Sequence, residues 1–124
     1  MNINKIIKRK FLFLIERGYL YQKIVEDKVY CELKFKKNTF SISLQFDCHN
    51  EFLDLTIKED TKTLLKTNYD CVVEDDLNWE KKKFSQLLKD IYKLQRDSNS
   101  YSLSQEQLVN LLDLYANFIS ETAL

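Results

Sequence analysis

The sequence predicts an α+β domain in two layers: an N-terminal helix, a four-stranded antiparallel meander, and C-terminal helices packed on one sheet face. Three observations predict it. Apolar residues recur with a period near 3.6 at both ends of the chain and with a period of two between them. At 124 residues the chain is one domain long, so 1–124 is read as a single unit. Its 44% apolar content, with eight Phe, seven Tyr and one Trp, is enough to fill a core of that size.

Residues 4–17 read as the first helix, because Ile7, Phe11, Leu14 and Ile15 share one helical face. Gly18, the only glycine, falls just past the last turn, where a left-handed residue commonly closes a helix. From there the period switches to two. Residues 20–25 form a first strand, paired to the next across a tight turn at Glu26-Asp27. Val29, Cys31, Leu33 and Phe35 alternate with polar neighbours, as do Phe40, Ile42, Leu44 and Phe46, and then Leu53, Leu55 and Ile57. A two-residue turn at Lys37-Asn38 sets Phe35 opposite Phe40, Leu33 opposite Ile42 and Cys31 opposite Leu44. A loop of Asp47, Cys48, His49 and Asn50 sets Leu44 opposite Leu53 and Ile42 opposite Leu55. Apolar meets apolar throughout, and a one-residue slip would turn every pair to solvent.

The period is lost over residues 61–76, which read either as a short helix and loop or as a fifth strand around Cys71. Helices return near Asn78, with Phe84, Leu87, Leu88, Ile91 and Leu94 as an apolar stripe. Ser104 and Gln107 have the spacing of a capping box for the last helix, whose face is Leu108, Leu111, Leu112, Tyr115 and Ile119.

The composition excludes several function classes. One glycine rules out a phosphate-cradling loop or a dinucleotide fingerprint, and one histidine rules out a multi-histidine metal site. Cys31, Cys48 and Cys71 form neither a CxxC pair nor an even disulfide framework, which fits a reducing cytosol. The apolar run at residues 11–15 is too short for a secretory signal, and no stretch is long enough to span a bilayer. Cys48 and His49 are the one nucleophile–base candidate, but adjacent residues seldom face each other. With Asp47 and Glu51 they cannot close a tetrahedron around a metal either. No catalytic residue, metal ligand or cofactor is assigned.

Charge is segregated along the chain although nineteen basic and nineteen acidic residues cancel. Residues 1–40 carry ten Lys/Arg against four Asp/Glu, and residues 41–80 carry three against ten. The basic triplets 8–10 and 81–83 diverge around their helices. The outward sheet positions Tyr30, Glu32, Lys34, Ser41, Ser43, Gln45, Asp54 and Thr56 are too mixed in charge for a base-stacking platform, so direct nucleic-acid binding is not expected. Tyr19, Tyr21, Tyr30 and Phe52 are read on the face opposite the core, as interface aromatics or as residues covered by the 61–76 segment.

The layout resembles the small immunity proteins encoded beside bacterial polymorphic and contact-dependent toxins. The resemblance lies in the helix ending in an aromatic-flanked glycine (FLFLIERGYLY), the alternating strands (VYCELKFKK, TFSISLQF, EFLDLTIKE) and the Leu-rich closing helices. It spans nearly the whole chain and is one of architecture, since that family shares no invariant site motif. What it implies is a cytoplasmic inhibitor of one cognate toxin domain, often a nuclease with a basic active surface. The acidic block then supplies the partner-binding residues, Asp47, Glu51, Asp54, Asp70, Glu74, Asp75 and Asp76, as a mimic of nucleic acid. The alternative is a small structural or regulatory accessory protein, of bacterial or mobile-element origin, that works by self-association.

Overall fold

The computed structural model describes residues 3–26, 30–47, 52–67, 72–75, 81–96, 105–122 and 124. Two short helices, α1 (Ile3–Lys10) and α2 (Leu12–Glu16), lead into strands β1 (Leu20–Glu26), β2 (Tyr30–Lys37), β3 (Phe40–Asp47), β4 (Phe52–Glu59), β5 (Lys62–Thr67) and β6 (Val72–Asp75). Helices α3 (Lys81–Arg96) and α4 (Gln105–Ser120) close the chain. The six strands form one antiparallel sheet in sequence order, a plain meander. The α+β class and its order of elements are as the sequence predicts, with two strands more.

Those two strands occupy the segment where the period is lost. A bulge in β5 explains the loss: Ile57 pairs with Leu65 and Lys58 with Thr63, which leaves Leu64 as an extra residue. Leu64 and Leu65 both enter the core, a pair that strict alternation cannot produce. Among the described residues, no helix is long and apolar enough to cross a membrane.

The central registers differ from the sequence reading by one coherent slide. Phe35 lies opposite Ile42 and Leu33 opposite Leu44. Ile42 in turn lies opposite Ile57 and Leu44 opposite Leu55. Strand β3 is thus moved by two residues against both neighbours, and the relation of β2 to β4 is unchanged. A slide of two preserves every inward side chain. Its cause is the turn. Asn38 adopts φ 53° as the first residue of an Asn38-Thr39 connection, and Asp60 adopts the same φ in Asp60-Thr61. Asn and Asp tolerate the left-handed region, whereas a turn at Lys37-Asn38 would force a lysine into the leading position. At the other end of the sheet Glu26 belongs to β1 and lies opposite Cys31, so no turn forms at Glu26. The residues expected to follow it in that turn, and those of the β3–β4 loop from Cys48 on, lie outside the described residues.

The described helices pack on one face of the sheet. Phe11 stacks on Phe35 at 6.0 Å, and Tyr21, opposite Phe35 in β1, meets the same ring at 5.5 Å. Tyr19 is buried too, so both tyrosines lie on the core side and not on the opposite face. Helix α4 runs over the sheet centre, where Tyr115 donates a buried hydrogen bond of 3.0 Å to the Leu53 carbonyl of β4. On one flank Lys10 pairs with Asp113 of α4. On the other, Phe84 of α3 meets Phe118 edge-on at 6.5 Å.

The ends of the helices are closed by specific donors. Gly18 at φ 96° follows α2, with its N–H on the Ile15 carbonyl at 3.0 Å and the Tyr19 N–H on Leu14 at 2.9 Å. These are the two bonds of a Schellman closure. Arg17 donates to the Ser120 carbonyl at 2.6 Å and the Ile119 carbonyl at 3.4 Å, a cation on the terminal carbonyls of α4, and to the Leu124 carbonyl beyond it at 3.2 Å. The first helix departs from expectation at Phe11, where φ −104° and ψ 15° interrupt it. A tightened bond from the Leu14 N–H to the Phe11 carbonyl rotates the following turn. Ile15 is consequently 45% exposed, while Ile7, Phe11 and Leu14 are buried as read.

Two outcomes test this packing. In Gly18→Ala the new Cβ meets Lys37 at an ordinary 3.6 Å, so the cost is that of the positive φ. A loss of about 1 kcal/mol is expected from the denaturant midpoint. Tyr115→Phe removes a buried hydrogen bond and costs about 1 kcal/mol. Burial, and then the Asp54 carboxylate, raise the Tyr115 phenol well above its ordinary value. The fold therefore keeps a proton that the unfolded chain releases near pH 10, so this stability is full below about pH 10 and falls as pH rises past it. The Phe variant is expected to show a shallower alkaline decline.

Candidate functional site

With α1, α2 and α4 on one side, the polar positions of the strands share the other face of the sheet, and the ladder fixes which of them stand in one row. Glu32 lies opposite Gln45, and Gln45 opposite Asp54. One step toward the turns, Lys34 lies opposite Ser43, which faces Thr56, which faces Lys66. The next row holds Lys36, Ser41, Lys58 and Thr63. Acidic groups thus sit toward the β3–β4 loop and basic groups toward the Asn38 and Asp60 turns. The strands produce this order because two-residue steps keep Glu32, Lys34 and Lys36 of β2, and Asp54 and Lys58 of β4, on the same face with the acid nearer the β3–β4 loop in each.

Most of this face is half-buried, with Thr56 only 9% exposed and Lys36 and Lys58 exposed. No described side chain forms an ion pair with Lys34, Lys36, Lys58 or Lys66. The acidic end is electrostatically connected. The Tyr30 hydroxyl donates a long hydrogen bond of 3.4 Å to Glu32 Oε2. Burial first, then the charge of Glu32 and its hydrogen bond, and then Asp54, raise the Tyr30 phenol above its ordinary value. Tyr30, Glu32 and Asp54 therefore form one neighbourhood on strands β2 and β4. Such a surface offers carboxylates and a phenol to a cationic partner, and lysines to an anionic one.

The residues expected from the acidic block are distributed as follows. Asp54 is in this neighbourhood. Asp47 is the last ladder position of β3, opposite Tyr30 and Phe52. Glu74 lies opposite Lys66 on β6, and Asp75 opposite Leu65, two strands away from β4. Glu51, Asp70 and Asp76 lie outside the described residues, as do Cys48, His49 and Cys71. Glu32 was missed because it belongs to the basic third of the sequence. Its alternation with Lys34 on the polar face of β2, set against Asp54 on β4, is the signal that finds it.

One half of the residues of the basic triplets are engaged within the fold. Lys8 sits 4.4 Å from the Tyr21 ring centroid, Lys10 pairs with Asp113, and Lys83 donates to the Glu121 carbonyl. Among the described residues, no three His, Cys, Asp or Glu side chains gather as a metal site requires.

The Tyr30 neighbourhood has a direct readout. In Glu32→Gln the negative charge beside the phenol is gone, so the Tyr30 titration is expected to move down toward the ordinary tyrosine value. Ring-resonance shifts in a tyrosine-labelled sample follow this residue individually, and an unchanged Tyr30 titration would separate Glu32 from it.

Comparison with protein-family models, with curated proteins and with solved structures returns no match to this chain.

Proposed function

We propose that this chain is a cytoplasmic immunity protein, a non-catalytic inhibitor that neutralises a cognate bacterial toxin domain by covering its active surface. The observation that carries the reading is the acidic end of the polar sheet face, where Glu32 and Asp54 stand in one row on either side of Gln45 and both act on the Tyr30 phenol, with Asp47 at the next outward ladder position of β3. A nuclease toxin presents a basic, phosphate-binding surface, and carboxylates on a rigid sheet complement it. Long-range attraction of this kind accelerates encounter more than it deepens the final complex. The aromatic Tyr30 adds contact area at low entropic cost. The resemblance in layout to immunity proteins supports the same reading.

The test is co-expression of the tagged protein with the product of the gene immediately upstream. A stoichiometric complex, together with rescue of cells from that product's toxicity, is the expected result. In that complex, Glu32→Lys combined with Asp54→Asn should slow association about tenfold or more at low ionic strength, with the difference shrinking as salt is added. An association rate equal to that of the parent protein at every salt concentration would place the interface elsewhere.

A further inference from the structure

Exposed apolar surface and positive charge meet on α1, α2 and the start of β1. Among the described residues, four large apolar side chains are exposed, and three of them lie between positions 12 and 20: Leu12 at 51%, Ile15 at 45% and Leu20 at 76%. Leu12 and Ile15 stand one turn apart on α2 and are neighbours on its surface. Leu20 opens β1 two residues past Gly18, opposite Lys36 of β2. The core takes Ile7, Phe11, Leu14 and Tyr19 from the same elements, so the three aliphatic groups are left outside a core already filled. Cations surround them. Residues 3–20 hold five Lys/Arg against one acid, Glu16. Lys10 and Arg17 are turned onto α4. Lys5, Lys8 and Arg9 are exposed one to two turns ahead of Leu12, and Lys36 is exposed opposite Leu20.

We propose that this end of the domain docks on the surface of an anionic lipid bilayer. Leu12, Ile15 and Leu20 sit at the boundary between headgroups and acyl chains, and Lys5, Lys8, Arg9 and Lys36 lie against the lipid phosphates. Three features favour a lipid surface over a protein. The outer side of a helix is a ridge, and a plane receives it without a matching shape. None of the three apolar groups is the Tyr or Trp that anchors a protein interface, and three aliphatic side chains fall well short of the roughly 800 Å² per partner that specific association uses. A bilayer gains from each inserted aliphatic group separately, and its anionic headgroups attract each nearby Lys or Arg in the same way.

The docking is peripheral, because the inner sides of α1 and α2 stay in the core and only outward side chains reach the lipid. The charges of the whole chain cancel, but a surface responds to those within a screening length, about 10 Å at 0.1 M salt, and over residues 3–20 these are mainly basic. Aliphatic insertion and charge are each too small to hold the protein alone, so binding is reversible and needs both. It uses a different part of the molecule from the acidic residues of the sheet and does not rest on the immunity reading.

Flotation of the purified protein with lipid vesicles tests it. The protein is expected to rise with vesicles of equal parts phosphatidylglycerol and phosphatidylcholine, to stay behind with phosphatidylcholine alone, and to be released as salt rises from about 0.01 M to about 1 M and the screening length falls from about 30 Å to 3 Å. Two variants make the test specific. Leu12→Ser with Ile15→Ser removes the aliphatic contact, and Arg9→Glu with Lys36→Glu reverses the charge beside it. All four positions are exposed, so folding is retained, as circular dichroism would verify. Each variant should lower the partition coefficient about tenfold or more. A parent protein that does not float with the anionic vesicles would overturn the proposal, as would equal flotation with phosphatidylcholine alone or a variant that floats as the parent does. Retention of the parent on immobilised polyglutamate without flotation would also overturn it and assign the patch to an acidic protein.

Discussion

The structure depends on one inequality: six strands make a sheet with two faces, and the described helices pack on only one. Helix α4 lies on the centre of that covered face, tied to β4 by the Tyr115 hydroxyl and to α1 by Lys10 and Asp113. Every strand must then send its apolar side chains one way and its polar ones the other. The core of Leu33, Phe35, Ile42, Leu44, Leu55 and Ile57 is one consequence. The ordered charge on the polar face is the other, since residues excluded from the core are held in rows by the same ladder.

The two ends of the chain complete that cover. Arg17 and Lys83 reach the last carbonyls of α4 and its following turn from opposite sides, so the N-terminal helices and α3 are both fastened to the central helix. These donors supply positive charge where the helix dipole is negative. Gly18 lets the chain leave α2 and enter β1 within two residues, which keeps Tyr19 under the helices and brings Tyr21 onto Phe35. The edge strand β1 therefore packs on its inner side in spite of its bulge at Lys23–Val25.

Much of this was legible in the sequence because alternation survives small errors. The slide of β3 left every inward residue inward, and it left β2 and β4 in their predicted relation, which is why Glu32 and Asp54 fall in one row. What was not legible came from single extra residues. The bulge at Leu64 hid two strands, since a doubled apolar position breaks the period that identifies a strand. The interruption at Phe11 turned Ile15 outward, and reading β1 as plain alternation put Tyr21 on the wrong face. The acidic block had a further difficulty, because charge counted along the chain ignores the pairing that brings β2 beside it. Sequence segregation pointed to the acidic residues of β4, and only the register adds Glu32 and the lysine rows.

The acidic end of the polar sheet face is, on this account, where the protein meets a basic toxin surface. Carboxylate labelling read by mass spectrometry on the associated protein tests this most directly, with Glu16 and Glu106 as exposed references on the helical side. The account predicts that Glu32 and Asp54 are protected on association, while Glu16 and Glu106 label as in the free chain. Protection of Glu16 and Glu106 with undiminished labelling of Glu32 and Asp54 would place recognition on the helices and contradict it.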